Sequence, residues 1–134
     1  MKKEKNLKMN YKILEIKRKG DSGEAKAEKI LISNGYEILE RNYHSGREEI
    51  DIIAQKYDEI IFVEVKTRQK NSLQSPAEAV TLSKQKKIIK AAERYMYEKN
   101  PNLFPRFDVI EIYSEPNGQL SEEYNHIQNA FWKE

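Results

Sequence analysis

Asp51 and, thirteen residues further on, Glu64-Val65-Lys66 are the residues whose types and spacing can do chemistry. Both lie inside apolar runs that read as β-strands, Ile50-Asp51-Ile52-Ile53-Ala54 and Ile60-Ile61-Phe62-Val63-Glu64-Val65-Lys66. A carboxylate or an ammonium in such a run is costly to bury unless something compensates it. Side chains alternate along a strand, so Phe62, Glu64 and Lys66 share one face, with Glu64 and Lys66 about 6.6 Å apart. On the preceding strand the same rule groups Glu49, Asp51 and Ile53 on one face and Ile50, Ile52 and Ala54 on the other. A register that buries the Ile/Val face brings Asp51 towards Glu64, and two carboxylates at that range repel unless a cation lies between them.

Mg²⁺ or Mn²⁺ suits this donor set: the carboxylates of Asp51 and Glu64 and the backbone carbonyl of Val65. Such an ion polarises a phosphodiester and lowers the pKa of an attacking water. Lys66 then positions that water, stabilises charge on the phosphorane or, if its own pKa is depressed, acts as a base. Against this stands a plainer reading. Asp…Glu-x-Lys is short, and polar strand ends that simply reach water leave the same pattern.

The elements that must position these residues are legible on either side. Asp21-Ser22-Gly23-Glu24 has capping-box spacing, so a helix is expected after Asp21 and Glu24 has a structural role at its start. Ala27, Ile30 and Leu31 continue it, and Asn34-Gly35 stops it. Strands are expected over 36–43, 49–54 and 60–67, joined by turns at 44–47 and 56–59, hence an antiparallel meander. The polar stretch 69–75 is followed by a helical turn at 76–79 and a long helix over 83–98, with Ile88, Ala91, Ala92, Tyr95 and Met96 as its apolar face. A fourth strand covers 107–113, a turn 115–118, and the large apolar residues at the tail, Trp132 among them, cover a core edge. The order α-β-β-β-α-β implies an α/β sandwich around a mixed sheet.

The chain has 134 residues, enough for a domain over 21–134 with its own core, preceded by a loosely structured basic arm over 1–20. It has no cysteine, which excludes disulfides, zinc–thiolate sites and thiol catalysis. No apolar stretch approaches the ~20 residues of a membrane span, and lysines interrupt the N-terminus where a signal peptide would need its apolar core, so the expected location is cytoplasmic. The net charge of +2 is unevenly spread. Residues 1–20 carry eight Lys/Arg against two Glu, and 66–94 carry eight against two, on an otherwise acidic body. Two basic zones suit a polyanion, although solvated helix faces often look the same.

Longer motifs carry a resemblance. Gly23-Glu24-x-x-Ala27-x-x-x-Leu31-x-x-x-Gly35-Tyr36-x-Ile38-Leu39-x-Arg41-Asn42 resembles the opening of the YraN family of predicted nucleases. Glu49-Ile50-Asp51-Ile52-Ile53-Ala54, Phe62-Val63-Glu64-Val65-Lys66-x-Arg68, Pro76-x-Glu78-Ala79-Val80, Arg106-Phe107-Asp108-Val109 and His126-Ile127-x-Asn129-Ala130-Phe131 follow in order. The resemblance implies a restriction-endonuclease-like fold of the PD-(D/E)xK class, similar to archaeal Holliday-junction resolvases and the tRNA-endonuclease-like superfamily. It implies a catalytic set of Glu24, Asp51, Glu64 and Lys66, with Glu24 an additional metal ligand. Glu49, Lys84 and Gln85 rank second, near the metal or a phosphate, and Arg68, Lys70, Lys84, Lys86 and Lys87 are the expected nucleic-acid contacts. Two positions depart from the family: Glu48 stands where glycine is usual, and His44 where arginine is usual. His44 and His126 otherwise read as surface or packing residues.

The expectation is therefore a Mg²⁺- or Mn²⁺-dependent endonuclease on DNA, branched or otherwise structured. The alternatives are a non-catalytic nucleic-acid-binding module that keeps the fold, and an interaction scaffold such as a homodimer. RNA stays open, with Tyr43, Tyr57 and Tyr113 as residues able to stack on bases.

Overall fold

Helical spacing at the two ends of a β-meander yields a five-stranded sheet with one helix on each face. The computed structural model describes residues 22–70 and 80–133. The basic arm 1–20, Asp21 and the expected turn at 76–79 lie outside the described residues. Helix α1 (Gly23–Ser33) starts at Ser22, whose Oγ accepts a hydrogen bond from the Ala25 N–H at 3.1 Å. The cap thus sits one residue later than expected. Glu24 becomes the second helical residue and is relieved of the capping-box role. The helix ends at Asn34, and Gly35 takes a left-handed φ of +87°. At its other end Gly23 lies so close to the sheet that a Cβ would fall 2.3 Å from Thr67 Oγ1. Only glycine lets this end of α1, and Glu24 with it, come so near the sheet.

Strands β1 (Glu37–Ser45), β2 (Glu48–Lys56) and β3 (Glu59–Gln69) form the expected antiparallel meander. Its turns are tighter than expected, with only Gly46-Arg47 and Tyr57-Asp58 outside the strands. Helix α2 (Leu82–Lys99) is capped by Thr81 and ends at left-handed Asn100. It crosses one face to deliver β4 (Phe104–Ser114) parallel to β3, paired from Glu59–Phe104 to Gln69–Ser114. A fifth strand, β5 (Leu120–Phe131), returns antiparallel to β4 and makes the sheet order β1-β2-β3-β4-β5. The expected order lacked β5. Its middle, Glu122-Glu123-Tyr124-Asn125, is exposed on an edge strand, so the apolar alternation that marks a strand is missing there.

Each face of the sheet has its own core. Against α2 pack Ile50, Ile53, Ile60, Phe62, Phe107, Val109 and Phe131, meeting Ile88, Ala91, Ala92 and Tyr95. Against α1 pack Ile52, Ala54, Ile61, Val63, Ile110 and Ile112, meeting Ala27, Ile30 and Leu31. Fully burying a side chain such as Phe62 contributes about 1.5–3 kcal/mol. Ile50 and Ile52 lie on opposite faces, which corrects the strict alternation expected for β2. The same reversal crosses β1, where Arg41 reaches Glu28 on α1 while Tyr43 packs edge-on against Tyr95 of α2. Between them Asn42 has φ +49°, and the register sets it across from Asp51. A left-handed residue twists the ribbon locally, and asparagine tolerates that conformation better than most residues.

Candidate active site

The ladder between β2 and β3 runs from Lys56–Glu59 to Ile52–Val63 and stops one step short of Asp51 and Glu64. There Asp51 Oδ2 accepts the Val65 N–H at 2.8 Å, so a side chain takes over from the backbone rung. Glu64 projects from the face that carries Phe62 and is only 4% exposed. Its Oε1 lies 3.5 Å from Lys66 Nζ and 4.0 Å from Lys84 Nζ, the latter on the first turn of α2. Its Oε2 is buried and has no hydrogen-bond donor. Both lysines are partly exposed, and they form the positive rim of a buried acidic pair.

Burial, then the neighbouring Asp51 charge, pushes the Glu64 carboxyl up to about 7; Lys84 and Lys66 oppose the rise. Asp51 is also raised, by burial first and then by Glu49, against the lowering effects of the Val65 N–H and Lys84. Two carboxyl groups face each other here, and when both are ionised both can only accept. Such a pair needs either a shared proton or a cation. The orphaned Glu64 Oε2 beside Asp51, with only oxygen donors at hand, fits a hard divalent ion that keeps much of its water.

The other expected residues separate into those the fold gathers here and those it does not. With its amide nitrogen turned towards them, Asn42 donates to Glu49 Oε1 at 3.1 Å and to Glu24 Oε2 at 3.0 Å. Asn42 thus ties the α1 carboxylate to β2, and Glu49 in turn acts electrostatically on Asp51. Among the described residues no three Asp, Glu or His side chains converge as ligands, so Glu24 and Glu49 stand outside the Asp51–Glu64 pair. Lys84 belongs to the site, whereas Gln85 beside it donates to the Val80 carbonyl at 3.1 Å. Lys86 and Lys87 are exposed on α2. Arg68 is sequestered: its Nε lies 3.0 Å from Glu111 Oε2, and its side chain is only 10% exposed. Lys70 is held by Glu115 at 2.8 Å and Glu123 at 3.4 Å. Those two cations are committed to carboxylates of the chain itself.

The two departures from the family have clear places. Glu48 bonds Arg94 Nη1 at 3.1 Å, which holds its carboxylate to α2 and away from Asp51. His44 is exposed near the β1–β2 turn. Of the tyrosines able to stack on bases, Tyr43 is built into the core against Tyr95, and Tyr57 is exposed.

A second charged cluster escaped sequence reasoning. Asp108 on β4 is fully buried and accepts bonds from Arg106 Nε and Nη2, His126 Nε2 and the Asn129 N–H, at 2.7–3.0 Å. Arg106 also bonds Tyr36 and Glu59. His126 is thus a packing residue with a defined partner. The signal was present in Arg106-x-Asp108, where i and i+2 share a strand face.

Comparison with known proteins agrees with the motifs. The model of the uncharacterised protein family UPF0102 matches residues 23–112. A UPF0102 protein of Clostridioides difficile (strain 630) is 50% identical over 116 residues, covering 86% of this chain and 97% of the relative. One from Caldanaerobacter subterraneus subsp. tengcongensis is 45% identical over 113 residues, covering 84% and 93%. One from Parabacteroides distasonis is 41% identical over 113 residues, covering 84% and 91%. The matched span runs from the glycine that seats α1 to the end of the buried part of β4, and so takes in every residue of the acidic pair and its lysine rim: the chain belongs to the uncharacterised protein family UPF0102, the YraN family that its motifs resemble.

Proposed function

We propose that this chain is a divalent-metal-dependent endonuclease acting on DNA, branched or otherwise structured. The observation that supports it most is Glu64 Oε2: a buried carboxylate oxygen with no donor, facing a second carboxylate, under two ammonium groups. A chain with no other use for this arrangement would be more stable with an apolar residue there. Asp51 and Glu64, with the Val65 carbonyl, are the groups that hold Mg²⁺ or Mn²⁺. When bound, the ion supplies Lewis-acid polarisation of the phosphodiester and a more acidic water. Asp51, fixed by the Val65 N–H, sets the direction of the pair. Lys66 and Lys84 attract the phosphate and stabilise the charge that grows on it. Glu24 and Glu49, tied by Asn42, keep the α1 end of the site acidic and orient β2.

The test is incubation of purified protein with plasmid, single-stranded and four-way-junction DNA in Mg²⁺ or Mn²⁺. Cleavage is expected, and Asp51→Ala and Glu64→Gln are expected to lower it at least a hundredfold, about the loss seen when a transition-state contact is removed. Absence of cleavage on every substrate, or an Asp51→Ala variant that cuts as well as wild type, overturns the proposal.

One observation favours a second reading, a nucleic-acid-binding module without catalysis: the described residues gather two carboxylates and no third ligand side chain. That reading predicts salt-sensitive DNA binding with no strand scission under any metal.

A further inference from the structure

The outer flank of α2 carries a groove that the acidic pair does not use. Its volume is about 310 Å³, at the small end of the range for ligand clefts. Leu82, Ile89, Lys86, Lys90 and Trp132 are among the residues that line it. Trp132 was expected to cover a core edge, yet it is 61% exposed. The reason lies one residue earlier. Phe131 is buried and stacks on Phe107 at 5.3 Å, which uses the inward position and turns the next side chain out. Lys86 and Lys90 are exposed and one helical turn apart, with no carboxylate partner among the described residues. Lys133, also in the lining, pairs with Glu93 at 3.0 Å.

We infer that this groove binds a single-stranded segment of nucleic acid, with an unpaired base stacked on Trp132 and its phosphates on Lys86 and Lys90. The inference deepens the nuclease reading and rests on it for the identity of the polymer. An indole face offers a base the sequence-tolerant stacking that single strands use, and a base in a duplex has no free face to give. The groove is on the same helix as the site. Lys84, 4.0 Å from Glu64, is on the first turn of the same helix, and nine residues of helix to Glu93 span about 14 Å. Lys84 and Lys86 are two residues apart and point to different sides of α2, so the groove lies on the flank turned away from the acidic pair and is a separate contact for the same polymer. A second copy of the chain fits less well, because a two-fold contact would set this lysine-rich face against itself.

Trp132 is the only tryptophan of the chain, so its emission reports on the groove. Full-length protein in chelator, where nothing is cut, is titrated with oligo(dT) and with a duplex of equal length. Quenching by oligo(dT), weakened by salt, is expected; the duplex should leave the emission nearly unchanged. With a labelled oligo(dT) read by anisotropy, Trp132→Ala should weaken binding about five- to a hundredfold. Trp132→Phe should recover much of it. The Lys86→Gln/Lys90→Gln double variant should weaken binding and lower the salt slope by about 1–2. Unchanged emission, or Trp132→Ala binding as well as wild type, overturns the inference. So does a concentration-dependent dimer abolished by Trp132→Ala, which would assign the groove to self-association. Because these readings need no metal and no cleavage, they separate from the Asp51→Ala test: undiminished cutting by Asp51→Ala refutes the nuclease, and loss of the Trp132 signal refutes only the groove.

Discussion

Asp108 and Glu64 stand one rung apart on neighbouring parallel strands, since Val63 pairs with Asp108 and Glu64 with Val109. Both are almost wholly buried, at 0% and 4% exposure. They face opposite sides of the sheet and meet opposite fates. Burial alone would push Asp108 up, but bonds from His126, Arg106 and the Asn129 N–H outweigh it and hold the carboxyl below its ordinary range. Glu64 has Lys66 and Lys84 near one oxygen and no cation or backbone donor at the other, and burial with the Asp51 charge prevails. One carboxylate is stable as built, and the other is left in need of a proton or a cation. The contrast separates a residue that holds β5 to β4 from the residue on which the proposed chemistry rests.

The largest effect should come from breaking the satisfied site. Asp108→Ala strands Arg106 and His126 without their partner, and removing one member of a buried ion pair costs about 3–5 kcal/mol. Urea unfolding should show that loss. Glu64→Gln should do the reverse. It relieves repulsion with Asp51, so stability should hold or rise by about 1 kcal/mol while cleavage falls at least about a hundredfold. A Glu64→Gln protein as destabilised as Asp108→Ala would remove the distinction between the two sites.

The pH dependence of stability should carry the same contrast with opposite signs. Glu64 has a folded value of about 7 against an ordinary 4.5. Between these values the folded chain binds more protons than the unfolded one. Its contribution therefore declines as pH rises through 4.5 to 7, by at most on the order of 3 kcal/mol. The charges that face Glu64 and set this window are Asp51, Lys84 and Lys66. Asp108 is depressed, so its contribution is present above its unfolded value of about 3.9 and is lost as pH falls below it. Denaturant melts in chelator should show both limbs. Glu64→Gln should flatten the limb between 4.5 and 7, and Mg²⁺ or Mn²⁺ should flatten it in wild type.

What the sequence could reveal depended on how local the signal was. Asp51, Glu64 and Lys66 were legible because a charge inside an apolar run is conspicuous, and α1, the meander and α2 because their periods are regular. Arg68 and Lys70 were read as surface cations because their carboxylates, Glu111 and Glu115, are more than forty residues away on β4 and its exit. Strand β5 was hidden by its polar middle. The reversal of faces at Ile50 and Ile52 was invisible to a rule of strict alternation, because it depends on one residue of the neighbouring strand.

That residue gives the smallest and most discriminating test. Asn42 contributes a left-handed backbone opposite Asp51 and an amide that reaches both Glu24 and Glu49. Asn42→Gly keeps the backbone conformation at little cost and removes the amide, whereas Asn42→Ala loses both and should cost about 1–2 kcal/mol more in stability. If the amide orders the acidic side of the site, both variants should lower cleavage by a similar, modest factor despite their different melts. If only the twist matters, Asn42→Gly should cut like wild type and Asn42→Ala should not. Measuring both variants side by side distinguishes the fold's demand on this position from the site's, as Asp108 and Glu64 do on the larger scale.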